Sequence, residues 1–389
     1  MAPIKIGTDC SGMEAPIQAI QNLKVDYEHA FSCDIDKNAR ATIEANFPHG
    51  RMYTDLTKRN NRLTPKTDLY IAGFPCQPFS TAGLQQGFKD RRGRGKIFFM
   101  VKDYIARQKP KVFILENVSG LVKINKGRYL KAILAELDSL KMYNIHTQIL
   151  NTREHGVPQS RRRWYCVGIS KDCDQGTFQF PQPIPCPSIE LFLDRRVPKQ
   201  AKEGLPPATQ TTALTNVKTA RRSLKREGSD PDKEPWIVDC DSSPNRTKWT
   251  HNVAPCITCS RGSGHWVTNR GRRLRKQEMM RLQGMNPTTF KVAISETQLG
   301  KQLGNTMSVN VLERLFVRLL PAAGLARGEL KDRWATGQAV KKLADTRDKL
   351  QPFWGSSSRR KMAMRVRGLK REASDSSASS ASAKRMRMS

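Results

Sequence analysis

The sequence is short of acid. Its 389 residues hold 35 aspartates and glutamates against 68 lysines and arginines, a formal net charge of +33. A surface so unbalanced gathers polyanions through contacts that salt weakens, which makes nucleic acid the expected partner. Any apolar run long enough to span a bilayer is missing. So is an opening stretch with a basic start, an apolar block and a small-residue cleavage site, and a soluble, intracellular protein is expected. The nine cysteines are odd in number and lack framework spacing, which fits reduced thiols rather than disulfides. One CxxC occurs, Cys256 to Cys259, but no second pair stands at zinc-finger spacing, so no metal is expected there with Cys240 or His251.

What the chain does have, over its first 170 residues, is alternation. "IKIGTD" then "MEAPIQAIQNL", "HAFSCD" then "KNARATIEANF", "DLYIAGF" then "GKIFFMVKDYIARQ", and "KVFILEN" then "GRYLKAILAELDSL" each read as a strand followed by a helix. Four such units predict an α/β, doubly wound, mostly parallel sheet, whose ligands sit at the carboxyl ends of the strands. From 171 to 253 the text turns rich in proline, charge and turn formers, and a small irregular module is expected there. Residues 254–320 return to regular patterning, ending in the apolar helix "SVNVLERLFVRLL". Residues 321–389 form a basic, serine-rich tail, expected to be largely disordered for want of apolar surface. Within it, Lys370-Arg371 and Lys384-Arg385-Met386-Arg387 resemble a bipartite nuclear import signal, and a nonspecific nucleic-acid-binding arm is the alternative.

The predicted strand ends carry chemistry. Cys76 stands between Pro75 and Pro78 on a stiffened turn, where a partly open, positively polarised setting would make the thiol a nucleophile. Glu116 ends the apolar run "KVFIL", where burial would raise its pKa enough for it to hold a proton. "PQSRRRWYCVGI" supplies Gln159, Arg161 and Arg163, and alternation along a strand puts the two arginines on one face.

In this order and spacing the motifs "TDCSG", "CDID", "YTDLT", "GFPCQPFSTAG", "ENVSGL", "GVPQSRRRWYCVGI", "RRLRKQEMMRLQG" and "QLGNTMSVNV" resemble those of the DNA cytosine-5 methyltransferases, to about Leu320. The resemblance implies a Rossmann-like fold, S-adenosylmethionine as cofactor, double-stranded DNA as partner and a target base flipped out of the duplex. It implies that Cys76 attacks C6 of cytosine, that Glu116 binds N3 and the exocyclic amine, and that Arg161 and Arg163 contact the base oxygen and orient the catalytic loop. For the cofactor it carries over Asp34 to the ribose and Asp55 to the adenine amine, with Ile35 and Leu56 beside them. The backbone around Ser11, Gly12 and Pro75 would take the methionine end, and Asn305 would close the site. Gln77, Ser80 and Gln159 would face DNA, and Arg91, Arg92, Arg94 and Lys96 of the glycine-rich loop would grip phosphates. The segment 171–253 takes the place of the target-recognition region.

The first motif departs from the family. Cys10 replaces an aromatic that would stack on adenine, and Glu14 replaces a glycine. The expectation is that the Glu14 carboxylate compensates by pairing with the cofactor's ammonium group. Two other readings stand beside the DNA enzyme: a transfer-RNA cytosine-5 methyltransferase, and a silent DNA-binding scaffold.

Overall fold

The computed structural model describes residues 2–75, 97–196 and 204–347. Cys76, Gln77, Ser80, Arg91, Arg92, Arg94 and Lys96, together with the basic clusters between 370 and 387, lie outside the described residues.

The predicted strand–helix units form as read. They are β1 (Ile4–Asp9), α1 (Ala15–Leu23), β2 (Tyr27–Cys33), α2 (Lys37–Asn46), then β3 (Arg51–Tyr53), β4 (Leu69–Ala72), α3 (Ile97–Gln108), β5 (Val112–Val118) and α4 (Arg128–Asp138). Two long strands follow, β6 (Tyr143–Asn151) and β7 (Arg162–Ser170). The seven strands are ordered β3-β2-β1-β4-β5-β7-β6. The first five are parallel, and β7 alone runs against its neighbours β5 and β6.

Both faces of this sheet are covered, so its strands read as continuous apolar runs rather than as alternation. Ile71, Val112 and Ile114 point to a core shared with α1 and with α8 (Val309–Ala322). Tyr70, Phe113 and Leu115, one residue out of step, point to a second core under α3 and α4. Each such side chain, taken fully from water, contributes roughly 1.5–3 kcal/mol.

The segment after Lys171 is more regular than its composition predicts. It contains α5 (Thr211–Arg226), whose Ala213, Val217, Ala220 and Leu224 form one apolar stripe. The helix covers a four-stranded antiparallel sheet made of β8 (Trp236–Val238), β9 (Trp249–His251), β10 (Trp266–Val267) and β11 (Arg272–Arg273), in the order β11-β10-β8-β9. The last two strands come from beyond Val253, so the small sheet closes only when the chain is on its way back to α6 (Lys276–Arg281) and α7 (Glu296–Asn305).

The expectation of disorder is corrected for the first part of the tail. Leu325, Trp334, Ala339 and Leu343 are buried in the main core, the last two on α9 (Gln338–Ala344). Charge holds the strap as well. Arg333 is paired with Glu313 at 2.8 Å, Arg314 with Asp332 at 2.9 Å, and Arg281 Nε donates to Thr346 at 2.9 Å. Its apolar residues are too widely spaced among basic ones for composition to reveal them.

Candidate active site

A cleft of about 790 Å³ runs along the carboxyl edge of the parallel strands, within the size range of small-molecule sites. It is lined by Cys10 and Gly12 after β1, Asp34 and Ile35 after β2, Asp55 and Leu56 after β3, and Gly73 to Pro75 after β4. Glu116, Arg161, Arg163 and Asn305 complete the wall. The direction of β7 explains the arginines. Because it is antiparallel to β5, with Arg163 opposite Val118, its start lies on the rim where β5 ends.

Glu116 and Arg163 approach to 3.2 Å, both largely buried. The pair is not aligned as a hydrogen bond, and Glu116 Oε1 has no hydrogen-bond partner among the described residues. Burial raises the Glu116 carboxyl above the ordinary range against the pull of Arg163 and Arg161, so it can hold a proton. A Cβ on Gly73 would lie 2.9 Å from Met307 Cε and 4.0 Å from Glu116 Oε2, which shows how closely the β4 end, Glu116 and the segment after α7 converge.

Arg161 shares the cavity wall with Arg163 and has a structural task as well. Its Nη1 donates to the carbonyls of Ile257 (2.9 Å) and Gly304 (3.2 Å), and its Nη2 to that of Thr306 (2.6 Å). It clamps the end of α7, and so Asn305, to the rim. Gln159, expected to face DNA, is placed differently. It is wholly buried, accepts from Ile257 N at 3.0 Å and donates to the Leu282 carbonyl at 2.6 Å, so it is not a DNA contact.

The opposite wall of the cleft is built around Asp34. Its Oδ2 accepts from Gly12 N at 2.9 Å and its Oδ1 from Asp36 N at 2.9 Å. Burial raises its pKa, while these two N–H groups pull it back. Asp36, not Asp34, caps α2. Asp55 caps the turn Leu56–Lys58 by accepting from Thr57 and lines the cleft as well. Ile35 is 77% exposed on the cleft wall, an apolar surface of the kind a flat heterocycle would cover. Ser11 is spent on structure: its hydroxyl meets Thr8 Oγ1 at 2.6 Å and accepts from Cys33 N at 3.2 Å.

Glu14 overturns the expectation placed on it. It is fully buried and lines no part of the cleft. Its Oε1 accepts from Thr8 Oγ1 at 2.6 Å and Ser32 Oγ at 2.7 Å, with His29 Nε2 at 3.5 Å. The carboxylate faces into the fold behind the cofactor loop, so it cannot reach an ammonium group in the cleft. The turn holds it there at φ 51°, with Cys10 at φ 53°, a region non-glycine residues enter at a cost of about 1–3 kcal/mol. Cys10 itself lines the cleft with a thiol pushed well above its ordinary pKa by burial and by Asp34 and Asp9, which makes it a poor nucleophile.

Two features had no clear signal in sequence. Arg59 donates to both oxygens of Asp9, at 2.6 and 2.8 Å, beneath Phe31, Tyr53 and Tyr104, and so ties the segment carrying Asp55 to the end of β1. Cys256 Sγ lies 3.7 Å from Arg161 Nη1 and 3.9 Å from Arg163 Nη2, which brings the CxxC to the arginines.

An α/β fold with a buried acid–guanidinium pair in a cleft at the strand ends has the arrangement of an enzyme site. The family model for C-5 cytosine-specific DNA methylases matches residues 8–320. The chain is 31% identical over 298 residues to the type II methyltransferase M.HhaI of Haemophilus parahaemolyticus, covering 74% of this chain and 85% of that one. It is 33% identical over 306 residues to the type II methyltransferase M.NgoBI of Neisseria gonorrhoeae, covering 77% and 89%. The methyltransferase EhMeth of Entamoeba histolytica shares the fold, with a TM-score of 0.59 at 18% identity, over 82% of this chain and 99% of that one. This chain belongs to the C-5 cytosine-specific DNA methylase family. It is an S-adenosylmethionine-dependent DNA cytosine-5 methyltransferase.

Proposed function

We propose that Cys76, Glu116 and Arg163 form the base pocket of this enzyme, with Asp34, Ile35, Asp55 and Leu56 holding the nucleoside end of the cofactor. The observation that carries this reading is the buried Glu116 oxygen that has no hydrogen-bond partner among the described residues, 3.2 Å from Arg163, on the same rim as Pro75, the residue that precedes Cys76 in sequence. A cytosine flipped into the cleft would place N3 against Glu116. The Cys76 thiolate then forms a bond to C6, and the electron pair displaced from the C5–C6 bond is drawn through the ring towards N3. Glu116, whose carboxyl burial shifts towards the protonated form, would share a proton with N3 and stabilise that charge. Arg163 keeps the carboxyl oriented, and Arg161 keeps Asn305 in the wall. The cofactor, when bound, supplies the methyl group that C5 takes up. Loss of the C5 proton returns the electron pair and releases Cys76.

The loop cations Arg91, Arg92, Arg94 and Lys96 would grip DNA phosphates, and Gln77 and Ser80 would face the duplex beside the flipped base. The basic clusters at Lys370-Arg371 and Lys384-Arg387 would direct the protein to a nucleus through an import receptor. Tagged full-length protein and a variant with both clusters neutralised, imaged in eukaryotic cells, test that part.

Methyl transfer from labelled S-adenosylmethionine to unmethylated duplex DNA, by the native protein and by Cys76→Ser, tests the site. Label appearing as 5-methylcytosine only with the native protein supports it. Label on transfer RNA in place of DNA would redirect the substrate, and label independent of Cys76 would remove the nucleophile.

A further inference from the structure

The outer helix of the recognition module carries no acid. Over its 16 residues α5 has neither aspartate nor glutamate, and its solvent face is made only of hydroxyls and cations. Thr211, Thr215, Lys218, Arg222, Lys225 and Arg226 are exposed, and spacings of three and four place them on one side. Like charges at Lys218/Arg222 and Arg222/Arg226 stand four residues apart, an arrangement that weakens an isolated helix. The macrodipole accounts for the two cations of the last turn but not for Lys218 and Arg222. The helix's one ion pair among the described residues is that of Arg221, which is half-buried and reaches Asp232 at 2.8 Å. Glu227 follows the helix and accepts from Ser223, outside the row.

The small sheet separates this face from the main core. Val238, Cys240 and Trp266 turn towards α5, whereas Ile237 and Val267, one residue out of step, turn into the main core. With its apolar stripe buried, α5 presents cations and hydroxyls outward.

We infer that this row is a second binding face for duplex DNA, one that holds phosphates of a segment other than the one whose base enters the cleft. The inference rests on DNA being the substrate. Charge complementarity selects the occupant: cations and hydroxyls at near-regular spacing suit a line of phosphates and offer nothing to an apolar partner.

The test compares the full chain with a triple variant, Lys218→Gln, Arg222→Gln and Lys225→Gln, on a short duplex that spans only the target and its flanks, and on a long one. Glutamine keeps helix propensity, and far-UV circular dichroism checks the fold. For the long duplex, the slope of log affinity against log salt should become shallower by about 2 to 3, near 0.9 for each phosphate no longer neutralised. Methyl transfer on the short duplex should stay native. Charge-retaining swaps, Lys218→Arg, Arg222→Lys and Lys225→Arg, should restore the slope. A native slope in the glutamine variant overturns the proposal, as does an effect seen only with polyglutamate as competitor. Failure of the substrate reading is distinct, because it would appear as absent methyl transfer by the native chain on every duplex.

Discussion

Glu116 and Arg163 meet at 3.2 Å because one ends a strand and the other begins its antiparallel neighbour. Arg163 is the larger of the two influences holding the Glu116 carboxyl down against burial. Glu116→Gln keeps the shape but removes the ionisable carboxyl, and should lower single-turnover methyl transfer by about 10²–10⁴-fold. Cofactor affinity, measured by calorimetry, should stay native, since Asp34 and Ile35, proposed to hold the cofactor, are untouched. A native rate in this variant would take Glu116 out of the chemistry.

Glu14 should matter for stability and not for cofactor contact. Its Oε1 serves two buried hydroxyls, those of Thr8 and Ser32. Glutamine retains an acceptor there, whereas Glu14→Ala removes the acceptor that both share and is expected to cost about 1–3 kcal/mol in urea unfolding. Cofactor affinity should be the same in Glu14→Gln as in the native chain. Tenfold weaker binding by Glu14→Gln at unchanged stability would restore a direct contact.

Much of the fold was legible because local rules and tertiary context agree in it. Runs such as "KVFIL" and "DLYIA" are apolar on both faces because helices cover both faces, and the amphipathic stretches between them were read as helices and became α1 to α4. The site was legible as residue types on a rim, but not as directions of side chains. Gln159 and Arg161 sit in a motif beside Arg163, yet one is sealed against Leu282 and Ile257 and the other is spent on three carbonyls. Glu14 turned inward because its hydroxyl partners, Thr8 and Ser32, come from two different strands, a coincidence that no local pattern records. The helix α5 was hidden by the proline- and charge-rich text around it, although its stripe of Ala213, Val217, Ala220 and Leu224 has ordinary helical spacing.

Acid should weaken the fold at His155. This side chain is buried against Arg314, with Nδ1 and Nη1 at 2.6 Å. Burial, and then the guanidinium, lower its pKa from 6.5 to about 4, with Asp332 opposing. Above pH 6.5 the imidazole is neutral in both folded and unfolded chains and adds no pH dependence. Between 6.5 and 4 the unfolded chain takes up a proton that the folded one refuses, so stability falls as pH falls. The loss from this residue should be about 2 kcal/mol at pH 5 and about 3 kcal/mol once both states are protonated. Urea unfolding at pH 7 and pH 5 measures it, and His155→Gln should flatten that part of the slope. An equal pH dependence in the two proteins would place the sensitivity elsewhere.

The strap after α8 should prove part of the catalytic domain. Trp334 is 3% exposed and lies against Gly156, where an added Cβ would come within 3.0 Å of the indole. Gly156 has φ 89° and follows His155, so the ring seals the loop that leads towards Arg161 and Arg163. Truncating a buried aromatic removes its transfer energy and leaves a cavity, so Trp334→Ala should cost about 3–5 kcal/mol. Arg333→Ala should also be costly, because it leaves the buried Glu313 carboxylate without its ion pair. Because the loop beneath it sets the start of β7, methyl transfer should fall at temperatures where the native chain is still folded. A loss below about 1 kcal/mol, within the reach of surface substitutions, would return this segment to the tail.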